Sequence, residues 1–118
     1  MAELAVSSQT ITGASAMIKL VGDMDSGNFD VIEDELNKVL ESGVLGLVVD
    51  LSGLNSLSSA GLGAIVNLAR VLGERKGKLI LTAIKPKIMG DLELFGLEDS
   101  LDIVESPEQA KKAVASIK

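Results

Sequence analysis

Apolar positions change their period along the chain, and the changes predict its elements. From Glu3 to Thr12, Leu4, Val6 and Ser8 share one side of a weak two-residue alternation, which predicts a strand. Gly13 and Ser15 form a turn, and Ala16 to Val21 predicts a second strand, so the chain opens with a hairpin. Gly22 and Asp23 close that strand. The segment DSGNFDVIEDELNKVLESG then places Phe29, Ile32, Leu36, Val39 and Leu40 on one helical face. Asp25, Ser26 or Asn28 can cap it, because their side-chain oxygens accept from free backbone N–H groups. Gly43 suits the position just past its end.

Val44 to Asp50 is a short, nearly unbroken apolar run rich in branched residues, as in a central strand covered on both faces. A polar turn is expected after Asp50. Gly61 to Lys76 then has a helical period, with Leu62, Ile65, Val66, Ala69 and Leu72 inward and Gly77 closing the helix. Lys78 to Thr82 predicts another buried strand, so residues 44–82 form a strand–helix–strand unit fit for a right-handed parallel crossover. Pro86 opens a short helix with Ile88, Leu92 and Phe95 on its inward, apolar side, ending near Gly96, and Leu101 to Val104 predicts an edge strand. Ser106, Pro107 and Gln109 form a capping box with proline at the first helical position, starting a last helix with Ala110, Ala113, Val114 and Ile117 inward. The predicted fold is α/β, a mixed sheet with helices packed against it in the order β-β-α-β-α-β-α-β-α. With no linker or repeat in sight, residues 1–118 are expected to form one domain.

Composition narrows the chemistry. The chain has no cysteine and no histidine, so disulfides, thiolate catalysis, zinc sites and Ser-His-Asp hydrolysis are not expected. Phe29 and Phe95 are the only aromatic residues, and the net charge is −6. Neither suits a nucleic acid, which needs basic and stacking surfaces. Asp23, Asp25 and Asp50 are an imaginable magnesium set, but strand-end and capping duties explain two of them better. No metal and no cofactor is expected, and no phosphate-binding glycine loop is present. The N-terminus lacks a signal-like segment and no apolar run approaches the ~20 residues a bilayer requires, so a cytoplasmic, non-membrane protein is expected.

The informative stretch is DLSGLNSLSSAGLG, residues 50–63. It joins a central strand to a helix, on the side of an α/β sheet where ligands and partners usually engage. Ser58 or Ser59 falls at the helix start, next to unsatisfied backbone donors. A phosphate on either would meet a favourable helix dipole. A plain capping serine is the ordinary structural explanation, and from residue pattern alone the two hydroxyls are not separable.

This stretch resembles the anti-sigma factor antagonist family, the STAS domain. The resemblance rests on Asp50-Leu51-Ser52, on Ser58-Ser59-Ala60-Gly61-Leu62-Gly63, on Gly22-Asp23-Met24-Asp25, and on the element order of almost the whole chain. It implies a non-enzymatic partner-switching protein. In that family, the unphosphorylated antagonist binds an anti-sigma factor that is also a serine kinase, and so frees a sigma factor. Phosphorylation releases the antagonist, and a PP2C-type phosphatase resets it. The position matching the phosphoacceptor is Ser59, with Ser58 as the alternative. The implied partner surface comprises Asp23, Asp25, Ser58, Ser59, Gly61 and Leu62. Ser58 stands where many members carry Asp, and Ala60 where many carry Ser. The alternative role is a non-switching STAS binding subunit of a membrane transport system. A serine-nucleophile enzyme is disfavoured because no His or Cys could serve the serine.

Overall fold

A computed structural model describes residues 4–24, 29–94, 96 and 101–115. The described elements run β1 (Leu4–Thr12), β2 (Ser15–Met24), α1 (Phe29–Glu41), β3 (Gly46–Leu57), α2 (Ser59–Glu74), β4 (Lys78–Thr82), α3 (Pro86–Leu94), β5 (Asp102–Val104) and α4 (Pro107–Ala115). This is the predicted order. The sheet order is β1-β2-β3-β4-β5, with β1 antiparallel to β2 and every other neighbouring pair parallel.

The alternation of β-strand side chains sorts the core into two layers. Ile18 and Leu20 of β2, Leu47, Val49 and Leu51 of β3, and Leu79 and Leu81 of β4 face one side. There they meet Leu36 and Val39 of α1, Leu62, Ile65, Leu68 and Leu72 of α2, and Ile88 and Leu92 of α3. Val48 and Ile80 face the other side and pack under Ala110 and Val114 of α4. Strands β3 and β4 are therefore covered on both faces, which is why their sequences read as continuous apolar runs. Ala113, expected to face inward, is exposed, because α4 turns only a narrow stripe through Ala110 and Val114 onto the sheet.

Several local expectations hold. Gly43, at φ +88°, follows α1. Pro86 opens α3. The capping box of α4 is reciprocal: Gln109 N–H donates to Ser106 Oγ (3.2 Å), and Ser106 N–H donates to Gln109 Oε1 (3.4 Å). The caps assigned to Asp25, Ser26 or Asn28, and the inward placements of Phe95 and Ile117, lie outside the described residues.

The main departure concerns β3. The expected strand ended at Asp50, followed by a polar turn. Instead β3 runs on to Leu57, and Asp50 lies in mid-strand. The register explains why the sequence hides this. Lys19 pairs with Asp50 and Val21 with Gly53, so β3 spends one residue more than β2 over that interval. Gly22 pairs with Leu54 and Asp23 with Ser56, so an extra residue enters again. Each bulge resets the side-chain alternation. The buried residues Leu51 and Leu54 therefore lose their two-residue period, and the segment mimics a loop. Asp50 Oδ1 accepts from Ser52 N–H (2.9 Å) and so satisfies a bulge donor.

The close of α2 also differs from expectation. Lys76, at φ +64°, takes the left-handed position, and Gly77 does not. Gly77 is needed for space: a Cβ there would lie 2.2 Å from the Leu45 carbonyl oxygen. Its neighbour Lys78 donates its backbone N–H to the same oxygen at 2.7 Å. No helix among the described residues is long and apolar enough to cross a membrane.

Candidate functional site

The site is built where β2 and β3 end together and the chain turns into α2. The last ladder pair is Met24 with Leu57. Ser58 continues it by one bond, donating its backbone N–H to the Met24 carbonyl (2.8 Å). That bond holds Ser58 extended, at φ −82° and ψ 164°. The next residue can enter the helix, so Ser58 becomes the N-cap. Its Oγ accepts from Gly61 N–H (3.1 Å), while its carbonyl accepts from Leu62 N–H (2.9 Å).

Ser59 is the first helical residue and is exposed. The capping duty falls to Ser58, so the Ser59 hydroxyl is free of it. The backbone thus distinguishes two serines that residue pattern alone left interchangeable. No acidic residue occupies the first turn of α2. The positive end of its dipole is therefore not neutralised from within that turn.

Gly61 and Leu62, both expected at the partner surface, are buried below it. Leu62 is part of the main core. A Cβ on Gly61 would lie 1.9 Å from Met24 Sδ and 2.6 Å from its Cγ, so a glycine lets α2 rest directly on the end of β2. Gly63 has no such duty, since a Cβ there would meet nothing within 4 Å. Gly61 and Leu62 hold the exposed serine in place from beneath.

Asp23 sits at the same end of the sheet, half-buried, and its Oδ1 accepts from Ser56 Oγ (2.8 Å). It follows Gly22, whose φ of +113° a side-chain-bearing residue would adopt only with strain. Asp25 lies outside the described residues. Asp50 lies opposite Lys19, four residues before Asp23 along β2. By strand rise that is roughly 13 Å away, so Asp23 and Asp50 do not converge. Among the described residues no cluster of three or more His, Cys, Asp or Glu is placed to hold a metal ion.

Three further residues belong to this end of the sheet and were not singled out from the sequence. Ser56 ties β3 to Asp23. Asn55, the extra residue of the second bulge, accepts from Lys85 Nζ at 2.8 Å. Lys85 stands in the β4–α3 connection, so this bond and the Asp23–Ser56 bond tie the ends of β2, β3 and β4 together. The repeated Ser and Asn residues of 52–59 hint at hydrogen bonding here. No local signal marks Lys85, thirty residues from its partner.

The STAS domain profile matches residues 5–110. The chain is 32% identical over 94 residues to BtrV of Bordetella bronchiseptica, a candidate anti-sigma factor antagonist, with 80% of this chain and 81% of that protein covered. Its fold superposes on that of an anti-sigma factor antagonist from Mycobacterium paratuberculosis with a TM-score of 0.85 at 21% identity, covering 97% of this chain and 96% of the other. It also superposes on the Bacillus cell fate determinant SpoIIAA in its phosphorylated form, with a TM-score of 0.74 at 19% identity over 97% of this chain and 100% of that one.

Proposed function

The chain belongs to the STAS domain family, and on that premise we propose that it is an anti-sigma factor antagonist, a cytoplasmic binding protein rather than an enzyme, switched by phosphorylation of Ser59. Unphosphorylated, it binds an anti-sigma factor of the serine kinase type and so releases a sigma factor. Phosphorylated, it lets that partner go until a PP2C-type phosphatase restores the serine.

The observation that carries this reading is the division of labour at the start of α2. Ser58 caps the helix, while Ser59 stands exposed beside it. A kinase can reach Ser59 without undoing the cap. The phosphate then sits at a helix N-terminus, where backbone dipoles favour negative charge. The fold is therefore left intact, and the cost of modification falls on the bound partner. A phosphate brings about −1.5 to −2 charges at neutral pH, and pressed into an interface it adds repulsion and desolvation. A swing from 99% bound to 1% bound requires about 5.5 kcal/mol of differential affinity. Asp23 and Ser58 lie beside Ser59 at this end of the sheet, Gly61 and Leu62 shape the surface from within, and the family resemblance adds Asp25 to the proposed partner surface.

Labelling with radioactive ATP in an extract of the source organism tests the site. The native chain takes one phosphate and Ser59→Ala takes none, whereas Ser58→Ala is still labelled. Labelling that survives in Ser59→Ala and vanishes in Ser58→Ala moves the switch to the capping serine. Absence of label on both serines of the native chain removes the switch from this protein.

A further inference from the structure

The core-facing side of β1 changes character along the strand. Leu4 and Val6 are half-buried and pack against the main core. Ser8 and Thr10 continue the same side, since strand residues two apart share a face, yet both are exposed. Among the described residues neither hydroxyl has a hydrogen-bond partner. A stripe that begins as hydrocarbon thus ends as two free hydroxyls.

These hydroxyls line a half-open cavity of about 360 Å³ between the β1–β2 hairpin and α1. Its volume lies within the range of small-ligand sites. Buried Ala16, Val39 and Val44 give it an apolar floor. Glu35 and Lys38 stand on the α1 wall, one helical turn apart and joined at 3.4 Å. Their charges cancel, so the pair favours neither an anion nor a cation as ligand. No aromatic residue is among the described lining, so a nucleobase or a sugar ring finds no stacking face.

We propose that this cavity binds a small zwitterion, a free α-amino acid with a short aliphatic side chain. Its carboxylate accepts from Lys38 Nζ and from the hydroxyls of Ser8 and Thr10. Its ammonium group donates to the Glu35 carboxylate, and its side chain rests on the apolar floor. The Glu35–Lys38 pair lies at the surface, with Lys38 71% exposed, so it contributes little and opens readily to exchange partners. A polyol of similar size would use the hydroxyls but leave the ion pair and the floor unmatched. The cavity is far from the Ser59 surface. Ser15 pairs with Gly46 at the hairpin end of the sheet, and Met24 pairs with Leu57 beside Ser58, nine residues further along β2 and roughly 30 Å away by strand rise. Binding here does not depend on the switching function.

Nuclear magnetic resonance titration of the isotope-labelled full chain with L-valine, L-alanine and L-serine tests the site. At least one of them gives saturable amide shifts with a Kd of about 1 mM or tighter. The shifts fall on residues 8–16 and 35–44, which surround the cavity, and residues 56–63 stay unmoved. Glu35→Gln and Lys38→Ala each weaken binding at least about tenfold with an unchanged circular dichroism spectrum. Thr10→Val keeps the side-chain shape, removes one hydroxyl and weakens binding about threefold. N-acetyl-L-valine methylamide carries the same side chain without either charge and does not bind, a readout on the native chain that needs no variant. A Kd above about 1 mM for all three amino acids overturns the site, as do shifts centred away from the cavity. Glycerol or the uncharged analogue binding as tightly as the best amino acid overturns the ligand class. So does binding that neither charge substitution weakens.

Discussion

The two ends of α2 are both brought close to the sheet by a glycine, yet they differ in what that glycine touches. At the C-terminal end, Gly77 faces the backbone of Leu45, whose carbonyl oxygen, carbonyl carbon and Cα all lie within about 3 Å of where a Cβ would be. Arg75 adds a bond from its guanidinium to the Leu40 carbonyl (3.0 Å), tying the ends of α1 and α2 together. At the N-terminal end, Gly61 faces the side chain of Met24, a flexible thioether. The first end is set against rigid backbone. The second is set against a side chain that can move, and it carries the exposed serine. Stability and the proposed switch are thus divided along one helix.

Substitutions sharpen that division. Gly77→Ala is expected to cost most, about 3 kcal/mol, since backbone cannot yield to an added methyl group. Urea unfolding followed by circular dichroism reads it, as a lower midpoint. Gly61→Ala is expected to cost less, about 1.5 kcal/mol, because Met24 can change rotamer and alanine favours the helix. Equal costs at the two positions would erase the distinction. Ser58→Ala removes the cap on Gly61 N–H and is expected to lower stability by about 1 kcal/mol in the same assay. Ser59→Ala, at an exposed position without a capping bond, is expected to stay within about 0.5 kcal/mol of the native chain. If Ser59→Ala proved the more damaging of the two, the assignment of cap and free hydroxyl would be reversed.

Much of this architecture was legible in the residues. Element order followed from period changes, and the reciprocal bonds of Ser106 and Gln109 from a four-residue motif. The upper half of β3 was not legible, for a definite reason: two bulges reset the alternation that announces a strand. The same bulges set the site. The second re-aims Asn55 toward Lys85, a contact between residues distant in sequence that no local pattern encodes. The choice between Ser58 and Ser59 was hidden in a similar way. It is made by one backbone bond from Ser58 to Met24, which fixes where extended structure ends and helix begins. The resemblance points to Ser59 by counting along the motif; the structure shows that Ser58 is the cap and Ser59 is not.

The central claim is that negative charge at Ser59 releases a partner without unfolding the protein. Affinity capture from an extract of the source organism, comparing the native chain with Ser59→Asp, addresses it most directly. The native chain is expected to retain an anti-sigma factor of the serine kinase type, identified by mass spectrometry, and Ser59→Asp to lose it while keeping the native melting temperature. Equal retention of that kinase by both proteins, or its loss only because Ser59→Asp has unfolded, would rule out release by charge at Ser59.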